Sequence, residues 1–128
     1  MAVTAKAYSM QSGTLVVSGT DLTYGVGGVH NPSYSHLIVN IHVTVIVGGT
    51  TLVVTPQATD PNGNIYVFPG CALTITATGD YQFYAGPGLQ VIPNQSYPLL
   101  LPDNVNLGYT VSGGGASVTF ASALVLVD

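Results

Sequence analysis

Ionised side chains are almost missing from this sequence. Charged residues are 5% of the chain: one lysine, Lys6, no arginine, no glutamate, and the aspartates Asp21, Asp60, Asp80, Asp103 and Asp128. Ordinary soluble domains carry about 25%. A basic patch for nucleic acid is thereby excluded, and so is any carboxylate–guanidinium network. Cysteine is as scarce. Cys71 stands alone, so no intrachain disulfide forms and the disulfide-dense secreted scaffolds are excluded. Long apolar runs are absent too. The best candidate for a membrane span falls short of the ~18 residues needed, being broken by Asn40 and His42. The opening stretch, MAVTAKAYSM, has no apolar region of a secretory signal. No membrane association is expected.

What is present is β-branched residues and glycine, with 47% hydrophobic content over 128 residues. Helix is disfavoured throughout, and a single domain over residues 1–128 is expected. The central stretch, Leu37 to Ala58, has two apolar runs flanking Gly48-Gly49, the signal of a two-residue hairpin loop. That register puts Val39, Ile41, Val43, Val45 and Val47 on one face with Leu52 and Val54. Pro56 should break or bulge the ladder, or lie on an edge. Earlier, Val3 to Ser9 and Gly13 to Ser18 read as short strands, and Thr20 to Ser35 as a long loop. Later, Asp60-Pro61-Asn62-Gly63 is a turn and Pro69-Gly70 a stop. Gly79-Asp80 and Gly113-Gly114-Gly115 read as the tips of two more hairpins, and Leu89 to Pro102 as a crossing or an edge segment. The final strand is apolar on both faces near its end, so Leu124 to Val127 should be central or covered by another subunit. The fold class is all-β: a two-sheet β-sandwich or jelly roll of about eight to ten short antiparallel strands, with a barrel second.

Chemistry-bearing clusters are weak. His30, His36 and His42 recur at regular spacing, but in a strand His36 and His42 stand about 20 Å apart, too far for one ion. A ring of one histidine from each copy about a symmetry axis is the remaining metal reading. Asp60, Asp80 and Asp103 sit beside proline, glycine or asparagine, where turn chemistry explains them. Asp60, Asn62 and Asn64 alternate as in a calcium loop but lack the bidentate acid. Cys71 has no histidine in a local motif. Neither Gly25-Val26-Gly27-Gly28 nor the triple glycine precedes a helix, so neither supports phosphate binding. No catalytic residue, cofactor or metal is expected. Tyr24, Tyr34, Tyr66, Tyr81, Tyr84 and Tyr109 suit either a sugar-stacking platform or a protein interface, and the interface is favoured.

From Asp60 to Val127 the pieces DPNGNIYVF, ALTITATGDYQFYAGPG and IPNQSYPLLLP, a Gly-rich hairpin and an apolar last strand resemble small β-rich tailed-phage proteins, the capsid decoration (cement) proteins of jelly-roll type. The resemblance implies a non-enzymatic virion protein on the capsid exterior. Its partners would be the major capsid protein and its own copies in a homotrimer, and it would stabilise the shell. Residues 1–35 are expected to form an arm and loop that touch partners. The interface candidates are Val3, Tyr8, Leu15, Tyr24, Tyr34, Leu124 and Leu126. The alternative is a carbohydrate-binding β-sandwich module of a phage head or tail.

Overall fold

Apolar and polar side chains alternate along most of this chain, and the alternation writes a sandwich. The structure is a computed structural model that describes residues 5–31, 34–68 and 70–128. Val3, Pro32 and Pro69 lie outside those residues. Eleven strands and no helix are found among the described residues: β1 (Ala5–Leu15), β2 (Gly19–Thr20), β3 (Val29–His30), β4 (His36–Ile46), β5 (Thr51–Thr59), β6 (Ile65–Val67), β7 (Leu73–Ile75), β8 (Gly79–Ala85), β9 (Ser96–Tyr97), β10 (Asn104–Ser112) and β11 (Val118–Val127). One sheet runs β1-β11-β4-β8-β9. The other runs β2-β10-β5-β6, with β3 on β10 and β7 on β5. From β4 onward the long strands β4, β5, β8, β10 and β11 alternate between the sheets, and the two sheets pack as a β-sandwich. All pairs are antiparallel except β8–β9.

The three expected glycine hairpins are therefore not hairpins. β4 and β5, β7 and β8, and β10 and β11 each divide between the two sheets. The turn at Gly48-Gly49 is real, since the Thr50 N–H donates to the Val47 carbonyl at 3.0 Å. It carries the chain across the core instead of back along the same sheet. The apolar rows of β4 and β5 then face each other across the core. Leu37, Val39, Ile41 and Val43 look inward from one sheet, Leu52 and Val54 from the other, and all are buried. A register shift where β11 meets β4, between Thr119 and Phe120, leaves Thr44 as an extra residue. Such a bulge reverses the facing of the residues beyond it. Val45 and Val47 consequently turn to solvent, and Ile46 packs on the core.

Elsewhere the strands obey their chemistry. Pro56 lies opposite Leu107, whose carbonyl takes the Asp21 N–H and whose amide donates to the Asn106 side chain. On its other side β5 changes partner, from β7 at Val54 to β6 at Gln57, so the absent N–H falls in a gap of the ladder. Gly13 does not start a second strand; it continues β1. The described part of residues 1–35 supplies β1, β2 and β3, and so enters both sheets. Leu124 and Leu126 have no exposed surface and fill the core from β11, a strand flanked by β1 and β4. They are corrected from interface candidates to core residues. The outward residues of that strand's end are Val125 and Val127.

One buried carboxylate joins the two sheets. Asp21, with no exposed surface, accepts the Gln11 N–H and the Thr23 N–H, each at 2.9 Å, and the Tyr109 hydroxyl at 2.5 Å. Gln11 is free to donate because β1 bulges between Ser9 and Ser12. Ser122 Oγ, from β11, lies 2.9 Å from the Tyr109 oxygen and donates to the Gln11 carbonyl at 2.7 Å. Burial pushes the Asp21 pKa up, but the Tyr109 hydroxyl and the two N–H groups outweigh it and hold the carboxyl below its ordinary 3.8. Burial and the Asp21 charge together push the Tyr109 phenol well above its usual range.

Substitutions at Asp21 and in the triple glycine test this packing. Because the folded-state pKa of Asp21 is depressed, its contribution is complete above the unfolded value of about 3.9 and is lost as pH falls through the lower folded value. Asp21→Asn should lose about 2 kcal/mol at pH 7 in urea denaturation, and the gap to the parent protein should narrow below pH ~4. Gly113 has φ 123, and a Cβ there would sit 2.5 Å from the Gly49 carbonyl oxygen of the neighbouring sheet-crossing turn. Gly113→Ala should therefore cost about 2 kcal/mol. Gly114→Ala, with nothing within 4 Å, should cost under ~1 kcal/mol by the same measurement.

Candidate functional site

Three surfaces merit attention, and each is set by the strand register. The first is a groove at the open side of the sandwich, between β1 at the edge of one sheet and β3 on the other. Lys6 pairs with Leu126 and Tyr8 with Leu124, so both side chains stand on the core-side face of β1. Being on an edge strand, they meet Tyr24, Gly28–His30 and Tyr34 instead of a full sheet. Tyr24 packs edge-on against Tyr8, ring centroids 5.6 Å apart at 88°. Lys6 Nζ lies 5.3 Å from the centre of the Tyr8 ring, within cation–π range. Val29, His30 and Tyr34 complete a groove of about 460 Å³.

The segment holding Tyr24 and His30 is fixed from below. The Asn106 amide donates to the Asp21 carbonyl at 2.7 Å and to the Gly25 and Val26 carbonyls at 3.3 Å. At Gly28, φ is 72 and a Cβ would sit 2.4 Å from the Val105 oxygen, so only glycine lets the loop lie this close to β10.

The second surface is the outer face of β1, β11, β4 and β8. Small side chains, Ser9, Ala121 and Ala123, floor a shallow depression of about 680 Å³. His42 Nδ1 and the Asp80 carboxylate meet across β4 and β8 at its rim; both side chains are largely exposed. An exposed pair of this kind contributes little to stability. Asn40 Oδ1 lies inside the depression, buried and without a hydrogen-bond partner among the described residues.

The third surface is the end of the sandwich built by the β1–β2, β4–β5 and β10–β11 connections. Val16, Val17, Val45 and Val47 are 59%, 67%, 56% and 44% exposed there. No charged residue lies in Val16–Ser18, Thr44–Thr50 or Ser112–Ser117.

The remaining groups serve the fold. Cys71 is buried, and burial pushes its thiol up to about 12, so it is no nucleophile near neutral pH. Asp60 Oδ1 accepts the N–H groups of Asn62 and Asn64, and Oδ2 accepts Asn64 Nδ2 and the Tyr66 hydroxyl. Those bonds, the Asn64 N–H foremost, lower its pKa against a small desolvation, and the carboxylate is spent on its own turn. His36 lies against Gly86 and bonds Ser35 Oγ at 2.7 Å and the Pro87 carbonyl at 3.3 Å. His30 stands opposite Asn104, on the other sheet from His36 and His42. No group of three or more His, Cys, Asp or Glu among the described residues could hold a metal ion.

Of the interface candidates, Tyr8, Tyr24 and Tyr34 come together in the groove. Leu15 is half-buried against the core at the far end of β1. The wider tyrosine set disperses: Tyr109 is in the core, Tyr81 packs against it, and Tyr66 and Tyr84 stand on different sheets. Lys6 and Asp21 were missed as site residues. Period-two alternation from Ala5 already placed Lys6 beside Tyr8, so that signal was present in the sequence. No family model, no curated protein and no solved structure matches the chain.

Proposed function

We propose that the protein is a non-enzymatic structural protein of a virion, which binds the outer capsid surface as a homotrimer and stabilises the shell through contact alone. The observation that carries this reading is the uncharged end of the sandwich, where Val16, Val17, Val45 and Val47 stand exposed at or beside the connections that cross between the sheets. Clustered exposed apolar residues mark contact surfaces, and charge is depleted at interface cores. The resemblance of residues 60–127 to phage decoration proteins supplies the setting. The state of the reactive groups supports a role without catalysis. The Cys71 thiol stays protonated, and the Asp21 and Asp60 carboxylates are held by structural donors. Many modest contacts on a repeating shell add up by mass action.

Light scattering coupled to size exclusion should give a mass three times that of the 13.1 kDa chain. Co-sedimentation with capsids assembled from the major capsid protein of the same genome should pull it down. The double variant Val16→Asp, Val47→Asp should abolish sedimentation with the capsids at an unchanged melting temperature, because both side chains are solvent-facing. A strict monomer at millimolar concentration that leaves capsids untouched would overturn the proposal.

A further inference from the structure

We infer that the groove between β1 and β3 is a binding site for an acidic sugar, a pyranose bearing a carboxylate such as a uronic or sialic acid residue of a glycan. Lys6 is the only lysine or arginine in a chain of formal net charge −4, and it is placed in this groove. Among the described residues no carboxylate lies within ion-pair distance of its ammonium. Its ammonium lies over the face of Tyr8. An anion entering here meets the single fixed cation on an otherwise acidic surface, which favours binding at this place and no other.

The tyrosines supply the second half. Four of them spend their hydroxyls inside the chain: Tyr66 on Asp60, Tyr81 on the Ala77 carbonyl, Tyr84 on Gln82 and Tyr109 on Asp21. The three in the groove, Tyr8, Tyr24 and Tyr34, have no hydroxyl partner among the described residues. Three unengaged phenols, one imidazole and one ammonium thus converge on about 460 Å³, within the roughly 300–1,000 Å³ of small-ligand sites. Aromatic rings offer an apolar face to the C–H side of a sugar, and their hydroxyls exchange hydrogen bonds with its O–H groups. The ammonium selects the carboxylate by a charge-assisted bond.

The walls are rigid. Tyr8 is on a strand paired along its length with β11, and Tyr24 is on a loop tied by Asp21 and Asn106. The site therefore needs little ordering when a ligand arrives, which is where small-ligand affinity is otherwise lost. It does not depend on the capsid reading, which concerns the opposite end of β1.

The test is amide shift mapping by NMR on the full chain. The probes are glucuronic, galacturonic and N-acetylneuraminic acids, with glucose and galactose as neutral counterparts and acetate as a bare carboxylate. The acidic sugars should shift the amides of Lys6, Tyr8, Tyr24, Gly28, His30 and Tyr34 and bind at least fivefold tighter than the neutral ones. Lys6→Gln should weaken the acidic sugars about tenfold, the loss of one charge-assisted bond, and erase that preference. Tyr24→Ala should weaken every sugar that binds. Melting temperatures of both variants should stay close to the parent's, since neither side chain is buried in the core. The inference fails if these amides do not respond, if acetate reproduces the sugar response, or if Lys6→Gln leaves the preference intact.

Discussion

A carboxylate without a cation holds this sandwich together at its open side. Asp21 reaches β1 through the Gln11 N–H, β10 through the Tyr109 hydroxyl, and its own loop through Thr23. Its backbone joins as well: the N–H donates to the Leu107 carbonyl, and the carbonyl accepts the Asn106 amide. Burying an ionised group is costly unless its lone pairs are filled. Here neutral donors fill them, and their pull exceeds the desolvation, which is why the carboxyl stays ionised. A hydrophobic residue at position 21 would stabilise by burial but could not fix the loop relative to both sheets at once. The bulge in β1 belongs to the same device. It keeps Met10 in the core, on the face it shares with Lys6 and Tyr8, and leaves the Gln11 N–H to the carboxylate.

The strand pattern was legible in the sequence and the sheet membership was not. Period-two alternation correctly told which side chains of 39–43 and 52–54 face the core. It cannot distinguish a strand that pairs with its neighbour from one that faces it across the core, because both arrangements bury the same residues. Glycine turns serve either geometry. The turn at Asp60 is the contrasting case: there β5 and β6 do form an antiparallel pair around Asp60 to Asn64. Bulges were invisible for a related reason. Nothing about Thr44 in the sequence announces an extra residue, yet it decides that Val45 is exposed and Ile46 is not.

The site was half legible in the same way. Tyr8, Tyr24 and Tyr34 were identifiable as residue types, but only the docking of Asp21–Asn31 on β10 brings them into one groove. Leu124 and Leu126 were misplaced because a strand with two apolar faces reads the same whether its second face meets a partner or merely carries small and β-branched residues outward. On β11 those are Ala121, Ala123, Val125 and Val127. Being central in its sheet was enough to explain the composition.

The placement of Lys6 is open to a rival explanation that its geometry answers. β1 is an eleven-residue edge strand, and a lysine on such an edge commonly guards against strand addition from another molecule. A guarding lysine projects into the solvent beside the free backbone groups. Lys6 instead shares the core-side face of β1 with Tyr8 and brings its ammonium over that ring. The edge already has its own protection in the bulge between Ser9 and Ser12, which interrupts the regular ladder that an incoming strand would need. With the edge defended by backbone shape, the chain's only lysine is free to act where its charge is directed, toward the tyrosine-lined groove.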